Sequence, residues 1–144
     1  MAQKISDVMT PNPKAVTEKD SVLEVARIMR DQNIGVVPVV EGLKVIGLIT
    51  DRDIVVRALA EGKDCKSISV RDVMTKNVRS VKEDTPVDDV LNLMSKDEIR
   101  RLPVVNSSDE LVGIVSIGDL ATRTNRDDKV GKVVETISEA PPNN

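Results

Sequence analysis

The chain has 144 residues, a formal net charge of -3, 40% hydrophobic and 31% charged residues, the balance of a compact globular fold with no leaning toward nucleic acid or anionic membrane. It has no histidine, phenylalanine, tyrosine or tryptophan and one cysteine, which excludes an internal disulfide, the usual zinc and imidazole-base sites, and aromatic platforms for single-stranded nucleic acid. No apolar run approaches the roughly twenty residues of a membrane span, and Met1 to Ser6 lacks the apolar stretch of a secretory signal, so a cytoplasmic location is expected.

The sequence is a duplication. Asp7-Val8-Met9-Thr10 recurs as Asp72-Val73-Met74-Thr75, and Pro38-Val39-Val40 recurs as Pro103-Val104-Val105. One extra residue in Asn106 to Glu110 shifts the register, after which Gly47 matches Gly113 and Asp53 matches Asp119. Each half opens with an extended segment, Ala15-Val16-Thr17 or Arg79-Ser80-Val81. A helix follows, with an apolar stripe at Val22, Val25, Ala26 and Met29, and again at Val87, Val90, Leu91 and Met94. Ser21 with Glu24 is the pattern of a capping box, and Thr85-Pro86 with Asp88 that of a capped, proline-led helix start. Two β-branched runs then form a hairpin, Val36 to Val40 with Leu43 to Ile49, and Leu102 to Val105 with Leu111 to Val115. Each half closes with a helix beginning near Thr50 or Ser116.

The order is β-α-β-β-α twice, an α+β fold: repeat 1 at 1–62, a linker at 63–69 carrying Cys65, and repeat 2 at 70–125. Residues 126–144 add a helix through Val130, Val133, Val134 and Ile137 and a disordered tail ending Pro141-Pro142-Asn143-Asn144. Ile54 to Ala60 is apolar around much of its circumference, so this helix should pack on another repeat or subunit as well as its own sheet. Met9, Met29, Met74 and Met94 belong to the apolar pattern and are expected to fill the core.

At the strand-to-helix boundaries stand Thr50-Asp51-Arg52-Asp53 and Ser116-Ile117-Gly118-Asp119. Ser/Thr-x-x-Asp at a helix start is a capping box; the same hydroxyl and free N–H groups can receive a phosphate, and the carboxylate can accept both hydroxyls of a ribose. Either use satisfies the pattern.

The duplicated Asp-Val-Met-Thr opening, the Pro-Val-Val strand and the Gly-to-Asp strand-helix junction together resemble the CBS-domain family, from about Ile5 to Thr122, and in detail its small stand-alone bacterial pairs. The resemblance implies that the repeats pack through their sheets with pseudo-twofold symmetry as a Bateman module, commonly paired into a homodimer. It also implies that an adenosine-containing ligand (AMP, ADP, ATP, S-adenosylmethionine or NAD) occupies clefts between the repeats. Carried over to this sequence, one cleft takes Thr50, Asp53, Ile99, Arg79 and Ser80, with Arg100 and Arg101 toward phosphate. A pair of solvated arginines, or salt bridges to Asp97 and Glu98, is the alternative for those two. The other cleft takes Ser116, Asp119, Ile34, Gly35, Val36, Lys14, Ala15 and Val16, with Arg52 toward phosphate or else paired to Asp51 or Asp53. No nucleophile or base can be assigned, so the expected role is regulatory and not enzymatic, with no metal and output through a separate effector protein. A structural or interaction protein with empty clefts is the competing reading.

Overall fold

A computed structural model of the chain describes residues 3–124 and 127–138. In chain order its elements are β1 (Thr10–Pro11), α1 (Val22–Gln32), β2 (Val36–Glu41), β3 (Lys44–Thr50), α2 (Asp51–Ile54, continued by a π-helical stretch Val55–Leu59), β4 (Thr75–Lys76) and β5 (Val81–Lys82). They continue with α3 (Val87–Asp97), β6 (Arg101–Val105), β7 (Leu111–Ser116), α4 (Ile117–Arg123) and α5 (Asp127–Ser138). The main helices and the two hairpins fall where the periodicity predicts, the short strands β1 and β4 are additional to it, and the fold is α+β as expected. The predicted tail at Pro141 to Asn144 lies outside the described residues.

The chain divides into two compact units: Pro13–Val78 forms one, and the chain up to Asn12 together with that from Arg79 onward forms the other. The packed unit is thus offset from the sequence repeat. Asp72 to Thr75, which opens the second repeat, packs in the unit built from the first, and Asp7 to Thr10 does the reverse.

In the Pro13–Val78 unit, β2 and β3 form the hairpin and β4 adds to β3 antiparallel, Gly47 opposite Lys76 and Leu48 opposite Thr75. Val16 runs parallel beside Val39. Helix α1 buries Val22, Val25 and Met29, which with Val37, Val39, Ile49, Ala58, Val70, Val73 and Met74 make one core. Ala26, placed on the stripe, is only half-buried. The Ser21 hydroxyl accepts from the Glu24 N–H (3.1 Å). The reciprocal bond from Glu24 does not form. Instead the 63–69 segment supplies acceptors, the Ile68 carbonyl to the Val22 N–H (3.2 Å) and the Cys65 carbonyl to the Leu23 N–H (3.0 Å). Four free N–H groups at a helix start need acceptors, and here the chain itself provides some of them.

In the other unit, β1-β7-β6-β5 form one sheet, with β5 parallel to β6 and the rest antiparallel. Its core joins Ile5 and Val8 to Val87, Val90, Leu91 and Met94 of α3, to Leu102, Val104 and Val115, and to Leu120, Val130, Val133 and Ile137 of α4 and α5. The Thr85 cap does not form: Pro86 is the N-cap residue, without a side-chain bond. The N-terminal segment engages this turn, Ile5 N–H donating to the Thr85 carbonyl (2.8 Å) and Val87 N–H to the Gln3 carbonyl (2.9 Å).

Two glycines let the exchanged segments cross their strands. A Cβ at Gly47 would lie 2.5 Å from the Thr75 carbonyl oxygen and 2.4 Å from Met74 Cε, and one at Gly113 would lie 2.3 Å from Met9 Sδ and 3.0 Å from the Thr10 carbonyl oxygen. Met29, Met74 and Met94 are buried and Met9 packs half-buried on the core, the filler role expected of all four.

Candidate functional site

Each strand-to-helix junction is a complete capping box. Thr50 Oγ1 accepts from the Asp53 N–H (3.0 Å) while Asp53 Oδ2 accepts from the Thr50 N–H (3.0 Å). Ser116 and Asp119 repeat the exchange at 3.1 and 3.0 Å. Among the described residues neither hydroxyl donates to a protein acceptor, so each O–H remains available to an anion.

Within each unit the folding sets beside the junction those candidates that the expected clefts grouped with the other one: Gly35 and Val36 stand by Thr50 and Asp51, and Arg100 and Arg101 by Ser116 and Ile117. In Pro13–Val78, Val36 pairs with Thr50 across the hairpin, the Asp51 N–H donates to the Gly35 carbonyl (3.0 Å), and Lys14-Ala15-Val16 runs beside β2 through the Val16–Val39 bridge. A Cβ at Gly35 would stand 2.9 Å from Asp51 Oδ2, the end of an exposed side chain that would have to shift. In the other unit Arg101 pairs with Ser116, and the Ile117 N–H donates to the Arg100 carbonyl (2.9 Å), the same contact in the repeat-equivalent place. Ile99 packs half-buried against the core below.

The charged candidates differ in what holds them. Arg79, proposed for the ligand, is engaged by Asp97 (2.9 Å). Asp97 is therefore not the partner of Arg100 or Arg101, and neither guanidinium makes an ion pair or hydrogen bond among the described residues. The partner of Asp53 is Arg57, one helical turn on, with Nε 3.9 Å from Oδ1. The Arg52 backbone N–H donates to Asp51 (2.8 Å).

Three residues at the site escaped the sequence reading. Arg57 Nη1 donates to the Val73 and Met74 carbonyls (3.3 and 3.1 Å), and Arg123 Nη1 donates to those of Val8 and Met9 (3.2 and 3.2 Å). Each arginine thus fastens an exchanged opening segment to the helix that follows its junction. Their signal was present, an arginine four residues after the junction aspartate in both repeats. The third is Thr75, whose hydroxyl lies 3.3 Å from both Asp53 oxygens; nothing local marks it.

The profile of the CBS domain matches residues 5–59 and 70–126. The chain belongs to the CBS-domain family. An uncharacterized protein YlbB of Bacillus subtilis is 41% identical over 94% of this chain and 92% of its own length. Among solved structures, the CBS-domain protein TA0289 of Thermoplasma acidophilum superimposes with TM-score 0.82 at 26% identity, covering 96% of this chain and 78% of that one. The CBS domain pair of protein MJ0100, crystallised with 5′-methylthioadenosine and S-adenosyl-L-methionine, superimposes with TM-score 0.75 at 34% identity over 85% of this chain and 95% of its own. The paired junctions above are thus the strand-to-helix junctions of two CBS domains. Among the described residues no helix is long and apolar enough to cross a membrane, and no three potential metal-binding His, Cys, Asp or Glu side chains cluster.

Proposed function

We propose that the chain is a regulatory module that binds an adenosine-containing ligand at its Thr50–Asp53 and Ser116–Asp119 junctions and passes the binding signal to a separate effector protein, without catalysing a reaction. The observation that carries this reading is the twice-built junction, where a carboxylate with acceptor capacity stands one turn from a hydroxyl still able to donate. A ribose diol supplies two O–H donors to the carboxylate and a phosphate accepts from the hydroxyl. Arg100 and Arg101, without ion pairs or side-chain hydrogen bonds among the described residues, supply charge-assisted donors to phosphate, while Arg79 would first have to leave Asp97. The similarity to the MJ0100 pair with its adenosyl ligands supports the class of ligand; AMP, ADP, ATP, S-adenosylmethionine and NAD are the candidates.

A homodimer is part of the proposal. Val55, Val56 and Leu59 remain 52%, 38% and 67% exposed while Ala58 on the same stretch is buried. An apolar face of this kind on one helix is what a second copy covers.

The chain has no tryptophan or tyrosine, so absorbance near 260 nm in a purified sample reports nucleotide carried through purification. Thermal shifts against the five candidates complete the test, since a ligand at about a hundred times its dissociation constant adds about 2.7 kcal/mol. A blank spectrum and no shift with any of them would leave the junctions as helix caps and favour the interaction-dimer reading.

A further inference from the structure

The two junction aspartates are built alike and held differently. Asp53 is 3% exposed. Its Oδ2 accepts the Thr50 N–H, the Thr75 hydroxyl sits 3.3 Å from both oxygens, and Arg57 Nε faces Oδ1 at 3.9 Å. A carboxylate offers about four acceptor positions; at Asp53 the Thr50 N–H takes one, and the Thr75 hydroxyl reaches both oxygens of a side chain almost wholly removed from solvent. Asp119 is half-buried and its Oδ2 accepts the Ser116 N–H. Among the described residues no other donor reaches its carboxylate. The repeat-equivalent threonine, Thr10, is exposed and makes no bond to it, and Arg123 spends its Nη1 on the Val8 and Met9 carbonyls.

The arginine clamp is common to both units, so it does not explain the difference; the threonine hydroxyl does. We infer that Thr75, backed by Arg57, withholds the Asp53 carboxylate, so that a ribose diol engages Asp119 first and reaches Asp53 only by displacing the Thr75 hydroxyl. Thr75 belongs to β4, a two-residue strand paired to β3 at Gly47 and Leu48. Occupancy at Asp53 is therefore coupled to the hold on the segment that opens the second repeat, whereas occupancy at Asp119 is not coupled to β1. The order of filling rests on the adenosyl reading above; the hold on Asp53 does not.

The test has two arms on the full chain. Without ligand, urea midpoints are measured for Asp53→Asn, Thr75→Val and the double variant, beside Asp119→Asn, Thr10→Val and their double. The first cycle is expected to be non-additive and the second additive. Thr75→Ser, which keeps the hydroxyl, should behave as the natural protein and guards against a general packing defect. Additive shifts at Asp53 and Thr75 overturn the inference. In the second arm, calorimetric titration with AMP and with S-adenosylmethionine should resolve a tighter and a weaker event. Asp119→Asn should weaken the tighter event at least tenfold, Asp53→Asn should remove the weaker one, and Thr75→Val should strengthen it about fivefold, the worth of one hydrogen bond of about 1 kcal/mol. Loss of the tighter event in Asp53→Asn, or a weaker event indifferent to Thr75→Val, also overturns it. Coupling in the first arm with no heat in the second sustains the withheld carboxylate and defeats the adenosyl reading alone.

Discussion

Replacing Gly47 by alanine should damage the protein more than the same change at Gly113, although the two glycines occupy equivalent places in the repeats. At Gly47 the added methyl meets the Thr75 carbonyl oxygen at 2.5 Å, a backbone atom held by the β3–β4 pairing. Met74 Cε, at 2.4 Å, can swing aside; the carbonyl cannot move without taking β4 with it. Overpacking of this kind costs about 1–3 kcal/mol, and a strained β3–β4 bond adds about 1 more. Against this, alanine in place of glycine in a strand returns about 0.5–1 kcal/mol. The expected net loss is about 1–3.5 kcal/mol, centred near 2. At Gly113 the closest atom is Met9 Sδ, on a flexible side chain, and the Thr10 carbonyl oxygen stands off at 3.0 Å, so the net loss should be about 1 kcal/mol or less. The assay is urea unfolding followed by far-ultraviolet circular dichroism, since the chain has no aromatic fluorophore. If Gly47→Ala costs no more than Gly113→Ala, the exchanged segment does not sit on β3 as described, and the account of Thr75 at Asp53 goes with it.

Other consequences can be checked on the same purified protein. Glu98 ends α3 in a left-handed conformation, φ 56°, which costs a side chain with a Cβ about 1–2 kcal/mol. Glu98→Gly should therefore raise stability by about 1 kcal/mol or somewhat less. Asn33→Gly at the matching end of α1, φ 53°, should change the urea midpoint little, because asparagine already tolerates that conformation; equal gains at both would refute the argument. Leu59→Asp places a charge on the exposed apolar face of Val55, Val56 and Leu59. Sedimentation should report monomer where the natural chain sediments as dimer, and an unchanged coefficient would mean that a second copy does not use this face.

Local pattern sufficed for a large part of this protein. The duplication, the amphipathic stripe of α3 through Val87, Val90, Leu91 and Met94, the two hairpins and both Ser/Thr-x-x-Asp boxes are short-range features. Periods of 2 and 3.6 residues and a three-residue capping spacing express them directly. Helix starts were less legible: Thr85 carries the residue type of a cap, yet the turn it lies in is engaged by Gln3 and Ile5 from the far end of the chain. Ser21 forms only half of its box because the carbonyls of Cys65 and Ile68 reach the same helix start. No local rule contains a hydrogen bond from a segment dozens of residues away.

What the amino-acid sequence determined by itself is the repeat: its two hairpins, its main helices, and the aspartate that begins the closing helix of each copy. Only the tertiary structure decided which opening segment lies on which sheet. Two copies of Asp-Val-Met-Thr are chemically interchangeable over those four residues, and a pattern shared by both cannot say where either one packs. That choice places Thr75 against Asp53 and Thr10 in the equivalent place on β7. Packing then separates two identical spacings: the Thr75 hydroxyl engages Asp53, while among the described residues Thr10 makes no bond to Asp119, which keeps an oxygen to spare.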